Sequence, residues 1–239
     1  MTTYRAGRRD FLRTMAAAPL GAAGLSALGG LPGLGRTAAQ SGSPGVTADQ
    51  ALQMLLEGNR RFMAGNLTGV SQLVQRRSEV ASGQSPMAIV VSCSDSRVPP
   101  EIVFDRTLGE LFVVRTAGQV VDEGARSSIV YGADALKAPL VVVLGHANCG
   151  AVQAALAAIE GNNVPGYAFR LVEAIAPAVR RVLGQPGDTL DNAIRANALL
   201  GVEQIRDAEP LLAEDVRRGR LTAVAAYYDF QTGQVSLLS

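Results

Sequence analysis

One histidine and two cysteines are the whole supply of imidazole and thiol in 239 residues. Soft-metal chemistry can therefore sit in only one place, and if His146 is spent on a metal no histidine remains to shuttle protons. No fourth Cys or His exists to close a structural zinc shell. Lysine is almost absent: Lys137 is the only one, and the other basic groups are arginines, a compositional habit rather than a binding patch. Neither charge is in surplus. The formal net charge is +1, but residues 1–39 hold five arginines and one acid, so residues 40–239 carry 17 basic and 20 acidic groups. That balance excludes a nucleic-acid partner. There is no internal repeat, and no low-complexity tract beyond the first 39 residues. What is present is a 48% hydrophobic chain, enough for a full core, of a length that favours one domain after loss of a leader.

Residues 1–39 read as an export signal peptide. Arg8-Arg9-Asp10-Phe11-Leu12 precedes a weakly apolar Ala/Gly/Leu stretch, and Thr37-Ala38-Ala39 offers a cleavage site before Gln40. The paired arginines followed by Phe-Leu resemble a twin-arginine signal. That resemblance implies a chain delivered to the export machinery folded and metal-loaded, for an extracytoplasmic, periplasmic destination. The glycines and prolines of the stretch argue against an uncleaved membrane anchor. Residues 40–46 form a flexible connector, and 47–239 are expected to be the catalytic domain.

Thr47-Ala48-Asp49-Gln50 has capping-box spacing ahead of Leu52, Leu55, Leu56 and Phe62, so a helix is predicted over 48–64. Apolar runs at 87–91, 111–116, 140–144 and 221–227 read as buried parallel strands. Helices are predicted over 122–136, 151–159, 166–183 and 188–209, with Pro177 kinking or splitting the third. A turn at 231–234 leads to an edge strand over 235–238. The expected fold is α/β: a single domain around a parallel-core sheet flanked by helices, with a C-terminal edge hairpin.

Ligands of open parallel sheets collect beyond the carboxyl ends of the strands. Cys93 follows the 87–91 run by two residues, and His146 follows the 140–144 run by two. If those strands are neighbours, the two residues face one crevice, and Cys149 opens the next helix, whose N-terminus favours a thiolate. Two thiolates and an imidazole suit zinc, and three ligands leave a fourth position open, as catalytic sites do. A Cys93–Cys149 disulfide and a structural zinc closed by Asp95 are the competing readings.

Cys93-Ser94-Asp95-Ser96-Arg97-Val98-Pro99, taken with Gly145-His146-Ala147-Asn148-Cys149-Gly150-Ala151-Val152, resembles the β-class carbonic anhydrases, and Gly109-Glu110-Leu111-Phe112-Val113-Val114-Arg115 resembles their second-strand segment. The resemblance implies one Zn²⁺ per chain on Cys93, His146 and Cys149, and reversible hydration of carbon dioxide to bicarbonate and a proton through a hydroxide generated at zinc. Asp95 and Arg97 are then the catalytic pair, with Asp95 a fourth ligand in a closed state. Gln84, Phe112 and a partner chain's Tyr131 would wall the substrate pocket of a homodimer or larger homo-oligomer. A hydrolase of carbonyl sulfide or carbon disulfide, and an inactive zinc-stabilised scaffold, are the alternatives to that activity.

Overall fold

Short apolar runs alternating with amphipathic segments build the predicted sheet. A computed structural model describes residues 45–239 apart from Val164 and Glu209. The export signal expected over 1–39, and all but the last two residues of the 40–46 connector, lie outside the described residues. Strands β1 (Ala88–Cys93), β2 (Leu111–Thr116), β3 (Leu140–His146), β4 (Thr222–Tyr228) and β5 (Val235–Leu238) lie in the order β2-β1-β3-β4-β5. The first four are parallel, and β5 turns back antiparallel on β4 as the edge hairpin. Every residue of β1 and β3 is buried, as expected of strands covered on both faces.

The helices are α1 (Ala48–Met63), α2 (Leu73–Glu79), α3 (Pro100–Val103), α4 (Glu123–Val130), α5 (Gly150–Ile159), α6 (Phe169–Val182), α7 (Thr189–Arg206) and α8 (Leu211–Arg217). On one face Ile89, Val91, Val141 and Val143 meet Ile129 of α4, Val202 of α7 and Leu212 of α8. On the other, Val90, Val142 and Leu144 meet Ala51 and Leu55 of α1. α5 and α6 pack with α7 over the carboxyl end, around Cys93 and Cys149.

α1 begins with both capping-box bonds, Gln50 N–H to Thr47 Oγ1 and Thr47 N–H to Gln50 Oε1. It comes so close to α3 that a Cβ on Gly58 would lie 1.7 Å from the Phe104 carbonyl oxygen. The next residue, buried Asn59, donates to the carbonyls of Val103 and Gly233 and accepts from Val235 N–H, fastening the β4–β5 turn to the body of the fold.

Several boundaries depart from expectation. β1 and β3 continue to Cys93 and His146, so both residues end their strands rather than following them. α6 is not split: it runs unbroken through Pro177, because Pro177 and Glu173, whose carbonyl loses its partner, both face water. The helix predicted over 122–136 ends at Val130 and continues as a π turn, Tyr131–Ala135. The short helices α2, α3 and α8 carry too little periodicity to have been foreseen.

Candidate metal centre

β1 has β2 on one side and β3 on the other, so the crossovers diverge between β1 and β3, the switch point where α/β sheets bind ligands. Ser92 pairs with Leu144 there, which brings the strand-ending Cys93 and His146 side by side. Cys149 follows on the turn after β3 and caps α5.

The ligand atoms of Cys93, His146 and Cys149 all lie within 4.8 Å of one another, and all three residues are buried. Both cysteines are free thiols, which removes the disulfide reading. His146 Nδ1 lies 2.9 Å from the Ala147 carbonyl, an acceptor, so Nδ1 carries the proton and Nε2 a lone pair. That Nε2 is buried without a hydrogen-bond partner. An orphaned imidazole nitrogen beside two buried thiols is costly unless a metal takes its lone pair, and the donor set fits zinc.

The two buried thiols share a proton. A hydrogen bond from Cys149 pulls Cys93 well below the usual thiol range, and the Gly118 N–H adds to it. The same shared proton, then burial, pushes Cys149 up, although the N–H groups of Val152 and Ala151 at the start of α5 oppose the rise. The α5 N-terminus thus favours the Cys149 thiolate as expected, while the proton shared with Cys93 works against it.

Asp95 stands at the rim, turned to Arg97. Its Oδ1 accepts from the Arg97 backbone N–H at 3.0 Å and Nε at 2.9 Å, and its Oδ2 accepts from Nη2 at 2.7 Å. The guanidinium holds this carboxyl far below the ordinary carboxylate range. Arg115, quoted above only as part of a strand motif, secures the loop from beneath: Nε donates to the Cys93 carbonyl at 3.0 Å and Nη2 to the Asp95 carbonyl at 2.6 Å.

Phe230 was not among the predicted site residues. It sits in the turn after β4, with its ring 5.4 Å from the His146 ring and 4.3 Å beneath the Arg97 guanidinium. A large apolar residue within the Asp229-Phe230-Gln231-Thr232 turn was the one available signal.

Gln84, Phe112 and Tyr131 are not brought to the cluster within one chain. Phe112 pairs with Ile89, four residues before Cys93 and so about 13 Å back along the strand. Tyr131 stacks on it with ring centroids 5.9 Å apart, and Gln84 is exposed ahead of β1. All three belong to the opposite end of the sheet.

Comparison with known proteins agrees with this geometry. The Carbonic anhydrase family profile matches residues 88–235, from the start of β1 to the start of β5. Carbonic anhydrase 2 of Mycobacterium tuberculosis is 40% identical over 197 residues, 81% of this chain and 94% of its own length. The carbonic anhydrase of Pseudomonas aeruginosa is 31% identical over 193 residues, 77% of this chain and 86% of its own. Among solved structures, the Coccomyxa beta-carbonic anhydrase in complex with acetazolamide aligns with a TM-score of 0.61 at 28% identity, over 78% of this chain and 86% of that one.

Proposed function

The chain belongs to the carbonic anhydrase family, in its β class, and hydrates carbon dioxide reversibly to bicarbonate and a proton; on that premise we propose that Cys93, His146 and Cys149 hold its single Zn²⁺ and that Asp95 and Arg97 orient the attack. The observation that carries the assignment is the unpartnered Nε2 of His146, fixed in tautomer by Ala147, beside two free buried thiols. Zinc supplies Lewis acidity there, of the kind that lowers the pKa of water from 15.7 to about 7 in an imidazole-ligated site.

The remaining chemistry belongs to the chain. A carboxylate has about four lone-pair sites, and three contacts from Arg97 occupy the far side of Asp95. The free position on Oδ2 accepts a hydrogen bond from the attacking oxygen and so aims that oxygen's lone pair at carbon dioxide. Arg97 thereby keeps Asp95 an orienting acceptor rather than a fourth ligand, and Phe230 supports Arg97 from below. The chain's one imidazole is committed to the metal, so the product proton leaves on buffer or through carboxylates and water.

The pocket walls come from a second copy. Gln84, Phe112 and Tyr131 lie a strand's length from their own chain's cluster, and Tyr131 is 51% exposed against Phe112, which supports a homodimer or larger homo-oligomer. The enzyme acts outside the cytoplasm after loss of residues 1–39, a reading supported by Arg8-Arg9-Asp10-Phe11-Leu12. No helix among the described residues is long and apolar enough to cross a membrane.

The test is metal content and stopped-flow carbon dioxide hydration on one preparation, beside His146→Ala. One zinc per chain with hydration activity is expected, both lost in the variant. Zinc retained at full stoichiometry by His146→Ala would overturn the ligand assignment.

A further inference from the structure

Cys93 is supported from a helix that contributes no ligand. Its sulfur accepts a hydrogen bond from the Gly118 N–H at 3.2 Å, and the Gly118 carbonyl accepts one from Asn197 Nδ2, on α7, at 2.8 Å. Asn197 is 5% exposed in a helix otherwise packed through apolar residues, so its amide is kept there at a desolvation cost that this bond helps to offset. Gly118 needs such a hold. Its φ is +66°, the next residue, Gln119, is also left-handed at φ +46°, and a Cβ on Gly118 would come within 2.8 Å of Ile175. Two consecutive left-handed residues are unfavourable backbone, and without the Asn197 bond to its carbonyl Gly118 is free to relax about φ and ψ and turn its N–H away from the sulfur.

We infer that Asn197 is a positioning residue for the metal centre: by holding the Gly118 carbonyl it fixes the left-handed φ/ψ of Gly118, so that the N–H on the other side of its Cα shares a lone pair of the Cys93 thiolate. This rests on the zinc assignment proposed above. It also answers a chemical difficulty of that donor set. Two thiolates already cancel the charge of a divalent metal and blunt its acidity. A thiolate that shares density with a peptide N–H donates less, which leaves more positive charge on the metal, the kind of tuning that partners of first ligands exert. On the other sulfur, the N–H groups at the start of α5 take the same part.

Asn197→Leu removes the donor at similar volume, and Asn197→Gln returns an amide. With cobalt(II) in place of zinc, Asn197→Leu is expected to move the thiolate-to-cobalt charge-transfer band to lower energy, and to weaken metal affinity in chelator competition by about 10- to 100-fold. Asn197→Gln should restore part of both. A band and an affinity unchanged in a folded Asn197→Leu protein would overturn the inference. A native protein with no charge-transfer band at all would instead overturn the zinc assignment. Should the variants fail to fold, cadmium-113 in the native protein decides: a through-hydrogen-bond coupling between the metal and the Gly118 amide proton is expected, and its absence refutes the link.

Discussion

The ring of Phe230 lies 4.3 Å beneath the guanidinium of Arg97 and 5.4 Å, tilted, from the His146 imidazole, so one side chain from the β4–β5 turn reaches both halves of the centre. The turn is rigid: Asp229 Oδ1 accepts from the backbone N–H groups of Gln231 and Thr232, and Asn59 anchors Gly233. A cation over an aromatic face in a partly exposed setting is worth about 0.5–1 kcal/mol. Phe230→Leu keeps the apolar bulk and loses the ring, so kcat/KM for hydration should fall about two- to fivefold with zinc content unchanged. Phe230→Tyr should retain native activity. Equal losses in both variants would mean that shape alone matters at this position.

Asp95→Asn tests the orienting pair directly. The amide cannot hold the ion pair with Arg97, and it presents a donor where the attacking oxygen needs an acceptor. A positioned group handling a proton in this way contributes about 100-fold or more to rate. One zinc per chain with hydration reduced about 100-fold is the expected outcome, measured by metal analysis and stopped-flow on one sample. Full activity would show that the carboxylate plays no part in the reaction.

The centre was legible in the sequence because its parts are local: Cys93, Asp95 and Arg97 fall within five residues, and His146 and Cys149 within four. Scarcity did the rest, since no other Cys or His competes. Phe230 and Asn197 were not legible, because each reaches the centre through tertiary packing, and an aromatic in a turn or an amide in a helix carries no mark of what it will face. Strand ends were misjudged for a related reason. Ser92 and Cys93, like Gly145 and His146, lack the apolar bulk of a strand, yet neighbouring strands pair with them and hold them extended. Phe112 could be tied to the site only through family resemblance, and its own chain keeps it about 13 Å from Cys93 along the strands.

That separation makes a prediction about assembly. If Phe112 and Tyr131 wall the partner's pocket, Phe112→Ala and Asp95→Asn damage each site of their homodimers once. A mixed dimer then concentrates both defects in one site and leaves the other intact. Dissociating and re-annealing the two variants together should raise carbon dioxide hydration well above the average of the separate proteins. Activity that stays at that average would place the pocket walls within one chain.

Proton removal should limit turnover at low buffer. His146 donates Nδ1–H to Ala147 and faces its thiol neighbours with Nε2, so no imidazole is left to ferry protons to solvent. The hydration rate at saturating carbon dioxide should rise with the concentration of an imidazole-type buffer and level off. A rate independent of buffer from the lowest concentrations upward would require an efficient internal relay.

Acid stability depends on a carboxylate far from the metal. Burial alone would raise the pKa of Asp105, but Arg61 Nε at 2.6 Å, the Thr68 and Gly69 backbone N–H groups and the Thr68 hydroxyl outweigh it, bringing the group from 3.8 down to about 2. Its side chain is fully buried, so solvent screens these bonds little. A carboxyl whose folded pKa is depressed stabilises the fold fully above its unfolded value, and the contribution is lost as pH falls through that value toward the folded one. The shift corresponds to about 2 kcal/mol. Asp105→Asn should therefore cost about 2 kcal/mol at pH 7 in urea unfolding followed by circular dichroism. The gap from the native protein should narrow as pH drops below about 4, where the native carboxyl begins to surrender the same advantage. A gap that is the same at pH 7 and pH 3 would mean that the substitution acts through shape or the lost Arg61 contact, and not through the charge of Asp105.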